Sequence, residues 1–391
     1  MTSKVLIVNA NIVTEEEVVS GGSVMLAGER IESVSPSSAG VGSAADVVVD
    51  ARGGWLLPGF IDVHVHGGYG ADFMEATPEA LETITRFHGG NGTTVMLATT
   101  VTAPHDRIVD VLKAVRDYRQ REMPYARLLG VHLEGPFISH KWPGAQNPAY
   151  IVPPQKQWVE RWVADYPGLI RQLTLAPETE GALELIARLR GRGIVVAAGH
   201  TDATYEQIEA AVEAGLSQAV HTFNAMTGLH HRKPGTAGAV LSDDRIAAEV
   251  IADGHHVHPA CIKLLARAKP ADKLILITDA MAAAGLGDGL YDLGGLAVVV
   301  KDGVARLKEG DSLAGSTLTM IDAFRFVVEK VGVSVPDASR MASGNPARQL
   351  GIFGETGSIT PGKRADVLLV TPDLRLERIW IGGREMEPFR K

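Results

Sequence analysis

Between residue 59 and about residue 280 the chain repeats one pattern, a short apolar or β-branched run followed by a longer amphipathic segment. The runs end near Val63, Thr99, Leu133, Ala176, Ala198, Val220, Ala252 and Thr278. Helical periodicity fills gaps such as 78–88, 105–120, 178–191, 203–214 and 258–268. Parallel strands need a crossover of a dozen or more residues, which a helix supplies. Eight such units predict an α/β fold, a (β/α)8 TIM-like barrel. The competing doubly wound sheet normally carries a Gly-rich phosphate turn after its first strand. Gly67-Gly68-Tyr69-Gly70 does not have that spacing.

The two ends of the chain have a different texture. Val24 and Leu26 stand across the turn Ala27-Gly28-Glu29-Arg30 from Ile31 and Val34, as in a hairpin. Val47–Val49, Val367–Val370 and Ile379–Ile381 read as further short strands. Neither end can bury a core by itself, so the two are expected to pack together. The reading is a discontinuous small β-sandwich domain, residues 1–58 with 356–391, around a barrel of residues 59–355. Of 391 residues, 45% are apolar, enough for a large core. No stretch approaches 18 uninterrupted apolar residues, and the short run at the N-terminus is a strand rather than a signal peptide, so no membrane span is expected and the protein is read as cytoplasmic. The net charge of −8 argues against nucleic acid as a partner. The single cysteine, Cys261, excludes a disulfide framework or a Cys-rich zinc module within the chain.

Chemistry-bearing residues stand where the strands end. The first strand closes in Asp62-Val63-His64-Val65-His66. Residues two apart on a strand share a face, so both imidazoles can grip one metal ion. Glu134 closes the third strand, and its two oxygens could bridge two metals. His200 follows the fifth strand, His221 the sixth and Asp279 the eighth. All lie at the end of a barrel where catalytic groups gather. Taken singly, His200 or His221 reads equally well as a core residue. His132 reads as core, and His88 as a surface or packing residue of its helix. The whole set, closing separate strands in one direction, points to a metal centre.

These stretches resemble the amidohydrolase superfamily, and within it the N-acetylglucosamine-6-phosphate deacetylases. The resemblance rests on Leu57–Gly67, His132-Leu-Glu-Gly-Pro-Phe137, Gly199–Ala203, His221-Thr-Phe-Asn-Ala-Met226, His231-Arg-Lys-Pro-Gly235, Ile251–Gly254, Thr278–Ala280, Leu313–Ser316 and Gly362–Asp366. It runs over essentially the whole chain. It implies that Glu134, His200 and His221 are metal ligands. His64 and His66 match a pair that some members keep and others lose, which implies a site able to hold two divalent ions. Zinc, iron, manganese and cobalt all suit such ligands.

The implied reaction is deacetylation of N-acetyl-D-glucosamine 6-phosphate. A metal ion polarises the amide carbonyl and activates water. Asp279, itself a further metal ligand or a helix cap on other readings, would carry the proton to the departing amine. Arg232 and His256 are expected at the phosphate, with donors from Asn224 and Ala225. The family often supplies that arginine from a neighbouring subunit, which implies a homodimer. Ala145, Gln146 and the segment Leu313-Ala314-Gly315 are expected along the sugar. Gln146 departs from the pattern, because many members carry His there. Either the metals polarise the carbonyl unaided or another residue, such as His140, assists. The loop 138–147 is read as a lid, and a helix is expected from near Ser316. Cyclic amidases or dipeptidases would use the same metals, but no lysine stands at the Ala176 strand end to bridge them. A catalytically silent relative is the remaining alternative, opposed by the intact ligand set.

Overall fold

The computed structural model describes residues 3–37 and 45–389. Eight parallel strands form the central sheet: Phe60–Asp62, Thr93–Thr100, Arg127–Glu134, Ile170–Leu175, Val195–Ala198, Gln218–Ala219, Ala247–Ile251 and Leu274–Ile277. They pair in sequence order, so each neighbour is reached by one crossover. Every expected strand end falls within one residue of an observed one. Helices Pro78–Gly89, His105–Arg119, Ala182–Arg190, Tyr205–Ala214 and Pro259–Ala268 fill the expected gaps. Thr77 begins the first of them by accepting from the Ala80 amide, with Pro78 at the first helical position, where its missing N–H costs nothing.

The first and last strands are tied at the site end. The Asp279 amide donates to the His64 carbonyl at 2.9 Å, and the His66 amide donates to the Ala280 carbonyl at 2.8 Å. Beneath them the Thr278 hydroxyl donates to buried Asp62 at 2.5 Å. The barrel is therefore nearly closed by the same residues that carry its chemistry.

The chain ends share one eight-stranded sheet, as expected. Val367–Val370 runs antiparallel to Trp55–Pro58, with Val367 opposite Pro58. Trp55–Pro58 in turn pairs with Lys4–Val13. Their core mixes both ends, with Ile7, Ile12, Leu26 and Leu56 packed against Val367, Leu369 and Trp380.

One element differs from the sequence expectation. The segment after the eighth strand is not simply a loop leading to a helix near Ser316. It folds as a three-stranded antiparallel sheet, Gly289–Leu293, Leu296–Lys301 and Val304–Leu307. The following helix starts later, at Met320, with the Thr319 hydroxyl as its cap. Leu293, Val298, Val300 and Ala305 of this sheet pack on Val101, Met281 and Ala314, which fixes it beside the barrel mouth.

Candidate metal centre

His64, His66, Glu134, His200, His221 and Asp279 converge at the barrel mouth, and all six are buried. Glu134 lies at the centre. Its Oε1 is 3.0 Å from His221 Nε2, 3.2 Å from His200 Nε2 and 3.3 Å from His64 Nε2. Its Oε2 is 3.3 Å from His66 Nε2. Asp279 Oδ1 is 3.1 Å from His66 Nε2 and 3.5 Å from His64 Nε2. His200 and His221 bring their Nε2 atoms to 3.2 Å of one another. Ligands bonded tetrahedrally at about 2.0–2.1 Å stand roughly 3.3 Å apart, so these spacings are those of a coordination shell.

The donor set fits metal ions on a further ground. Two groups, His64/His66/Asp279 and His64/Glu134/His221, each offer ligand atoms within 4.8 Å of one another. His64 Nε2 is buried, has no hydrogen-bond partner and faces this cluster. Such an orphaned nitrogen is costly unless something binds it. His200, His221 and Asp279 also hold left-handed backbone, at φ of 48°, 30° and 51°. Non-glycine residues persist there only where the surroundings impose it, which recurs at active sites.

The charges support one another. Burial pushes the Glu134 carboxyl up, but the His64 charge and hydrogen bonds from His200 and His221 hold it well below the usual carboxylate range. Asp279 is likewise raised by burial and brought lower overall by His64 and His66. Both carboxylates therefore stay ionised. His132 is a core residue, as expected. It lies between the Thr174 and Thr99 hydroxyls, and burial with the nearby His64 charge keeps it neutral.

A cavity of about 530 Å³ opens above the cluster, the size of a small-molecule site. Ala145, Gln146, Asn224, Ala225, His256, Leu313 and Gly315 line it with the metal-ligand candidates. Ala314 is buried behind it, its amide donating to the Ala305 carbonyl. Arg232 is exposed and off the cavity wall, where it meets His231. His256 Nδ1 is 2.6 Å from the Asp253 carboxylate, which fixes its ring over the cavity.

Gln146 lines the cavity with its side chain already engaged at both ends. Its amide donates to Glu134 Oε2 at 2.7 Å, and its carbonyl accepts from the Thr102 amide at 2.6 Å. His140 is exposed and does not line the cavity. Asp279 caps no helix, since no helix follows it. His88 is buried rather than superficial, its ring held on the Gly67 carbonyl just past His66.

Sequence reasoning missed the outer wall. Lys141 and Trp142 line it, and both meet the Asp202 carboxylate. Arg306 reaches the cavity from the three-stranded sheet, and Asp311 accepts its guanidinium at 3.0 Å.

Comparison with known proteins agrees with this geometry. The Amidohydrolase family profile matches residues 55–386. N-acetylglucosamine-6-phosphate deacetylase of Bacillus subtilis (strain 168) is 42% identical over 382 residues, 95% of this chain and 94% of the relative. N-acetylgalactosamine-6-phosphate deacetylase of Escherichia coli O157:H7 is 44% identical over 329 residues, 84% of this chain and 87% of the relative. Among solved structures, a mutant N-acetyl-D-glucosamine-6-phosphate deacetylase from Mycobacterium smegmatis, in complex with N-acetyl-D-glucosamine-6-phosphate, superposes with a TM-score of 0.92. It is 35% identical, and the match covers 98% of this chain and 99% of that one.

Proposed function

The chain belongs to the amidohydrolase family, and from that premise we propose that it hydrolyses N-acetyl-D-glucosamine 6-phosphate to D-glucosamine 6-phosphate and acetate. The observation that carries the reaction class is the convergence of four imidazole nitrogens on the two oxygens of Glu134, at the floor of the cavity. The choice of substrate is supported by relatives that span nearly the whole chain.

Family members are metal-dependent, and we assign two divalent ions to this site. His64, His66 and Asp279 would hold one, His200 and His221 the other, with Glu134 between them. When bound, the ions polarise the amide carbonyl and lower the pKa of a water toward about 7. Zinc, iron, manganese and cobalt all fit imidazole and carboxylate ligands.

The chain's own residues manage the proton. Asp279 is ionised and faces the cavity. It accepts a proton from the attacking water and returns it to the amide nitrogen. The new bond joins the water oxygen to the acetyl carbon, the carbon–nitrogen bond breaks, and the nitrogen leaves as an amine. Gln146 keeps the Glu134 carboxylate from rotating during this exchange.

Asn224, Ala225 and His256 would hold the sugar phosphate on one side, with Ala145 and the Leu313–Gly315 segment on the other. Arg232 lies off the cavity of its own chain. We therefore infer a homodimer in which Arg232 of a second copy closes the phosphate end, where its planar fork suits phosphate oxygens. No helix among the described residues is long and apolar enough to cross a membrane, and we propose a cytoplasmic enzyme of amino-sugar catabolism. Residues 59–355 form the catalytic barrel on this reading, with 1–58 and 356–391 as its companion domain.

The Escherichia coli relative supports a second reading, N-acetyl-D-galactosamine 6-phosphate as substrate. Acetate release from metal-loaded protein separates the two. The expected result is turnover of the glucosamine derivative well above its C4 epimer and above unphosphorylated N-acetylglucosamine. Preference for the epimer would establish the second reading. Absence of acetate from either, with turnover of dihydroorotate or a dipeptide, would overturn both.

A further inference from the structure

Beneath the metal-ligand candidates, the barrel interior holds a further buried carboxylate that the mechanism does not use. Glu249 stands in the middle of the seventh strand, Ala247–Ile251, and is completely buried. Its Oε2 is 2.9 Å from His64 Nδ1. Its Oε1 accepts from Gln172 Nε2 at 2.8 Å and from Gln218 Nε2 at 2.5 Å. Gln218 Nε2 also donates to Gln172 Oε1 at 2.9 Å, so the amides are oriented consistently around one acceptor.

A carboxylate only accepts hydrogen bonds. Its neighbour must therefore carry a proton on Nδ1, so that in the neutral, metal-binding form of His64 the lone pair is on Nε2, facing Glu134 and Asp279. The other histidines of the centre are backed differently. His200 Nδ1 meets the Trp142 carbonyl at 2.9 Å, and His221 Nδ1 meets the Asn224 carbonyl at 3.2 Å. His66 Nδ1 has no partner. Of the four imidazoles, His64 alone has the carboxyl group of a side chain behind its Nδ1. Such a partner orients a metal-bound histidine and raises its basicity.

We propose that Glu249 is the positioning residue of the His64/His66 metal site, fixing the tautomer and ring direction of His64 so that this site, and not the His200/His221 site, depends on it. The inference rests on the two-metal reading above.

Glu249→Gln keeps the shape and removes one acceptor. Turned one way, its NH2 meets the protonated Nδ1 of His64; turned the other, it meets two amide NH2 groups. One contact is lost in either case. The test is a cobalt(II) titration followed by visible absorption and metal analysis. Wild-type chain should take two equivalents. In Glu249→Gln one equivalent should weaken about 10–100-fold while the other is retained. A merely structural role would weaken both alike, and that outcome, or two unchanged equivalents, overturns the proposal. A wild-type chain that never exceeds one equivalent removes the two-metal reading alone.

A second measurement needs no folded variant at position 249. In 15N-histidine spectra of the zinc-loaded wild-type protein, His64, assigned by its loss in His64→Asn, should show a protonated Nδ1. A His64 bare at Nδ1 would overturn the proposal even if Glu249→Gln fails to fold.

Discussion

Asp279 is bound to His64 in two ways. Its amide donates to the His64 carbonyl at 2.9 Å, and its carboxylate stands 3.5 Å from His64 Nε2. Barrel closure and the proposed proton transfer thus fall on one residue, and a substitution there must separate them. Asp279→Asn keeps the amide bond and the side-chain shape but removes the proton acceptor. It should fold normally, and with metal supplied in excess kcat should fall about 10²–10⁴-fold, the usual contribution of a positioned acid–base group. Metal analysis beside acetate release checks this, and near-normal turnover in a metal-replete variant would refute the shuttle.

The strands and their terminal ligands were legible because a barrel writes them locally. Apolar runs mark the strands, and His64/His66, Glu134, His200, His221 and Asp279 interrupt the pattern just where each run stops. Glu249 was equally visible as a charge inside the run Ala-Ala-Glu-Val-Ile. A buried charge demands partners, but those partners, His64, Gln172 and Gln218, come from other strands, and their meeting is set by register. The three-stranded sheet left a signal too, since Asp302-Gly303 between Val298–Val300 and Val304–Leu307 is a hairpin turn in sequence. The place of Arg232, exposed and off the cavity of its own chain, was not legible, because a polar loop pattern does not encode which face of the fold it meets.

Gln146 ties the loop 138–147 to the metal-centre candidate Glu134 by one bond and to the Thr102 amide by another. Gln146→Leu preserves bulk and strands both partners. Leaving a buried donor unsatisfied costs about 1–3 kcal/mol, so the metal-free protein should lose stability by about that much. Glu134, released from its amide donor, should also hold metal less tightly. Denaturant titration of the metal-free variant and a cobalt(II) titration check the two effects separately. Unchanged values in both would return Gln146 to the role of a substrate contact.

The inferred exchange of Arg232 between subunits makes a complementation prediction. Arg232→Ala chains should show a raised KM for N-acetyl-D-glucosamine 6-phosphate and little change for the unphosphorylated sugar. Asp279→Asn chains should be nearly inactive. Refolded or co-expressed together, the two should regain activity, because a mixed dimer holds one site with an intact Asp279 and an intact Arg232 from its neighbour. Activity no greater than the sum of the separate variants would place Arg232 in its own subunit's site or outside the site altogether.

His88 carries the clearest pH dependence away from the metal centre. Burial pushes its pKa down to about 4, only partly opposed by its bond to the Gly67 carbonyl. The unfolded chain takes up this proton below about pH 6.5, and the folded chain does so only near pH 4. Between those values the unfolded state binds more protons, so stability falls as pH is lowered through the window. At about 1.4 kcal/mol per pKa unit the loss reaches on the order of 3 kcal/mol. His88→Gln removes the titrating group and keeps a donor for the Gly67 carbonyl. In chelator, its unfolding free energy should drop less than that of the wild-type chain between pH 7.5 and pH 4.5. The comparison cancels the contributions of other buried groups, such as Asp62. Parallel pH profiles for the two proteins would show that His88 exchanges its proton in the folded state as freely as in the unfolded one.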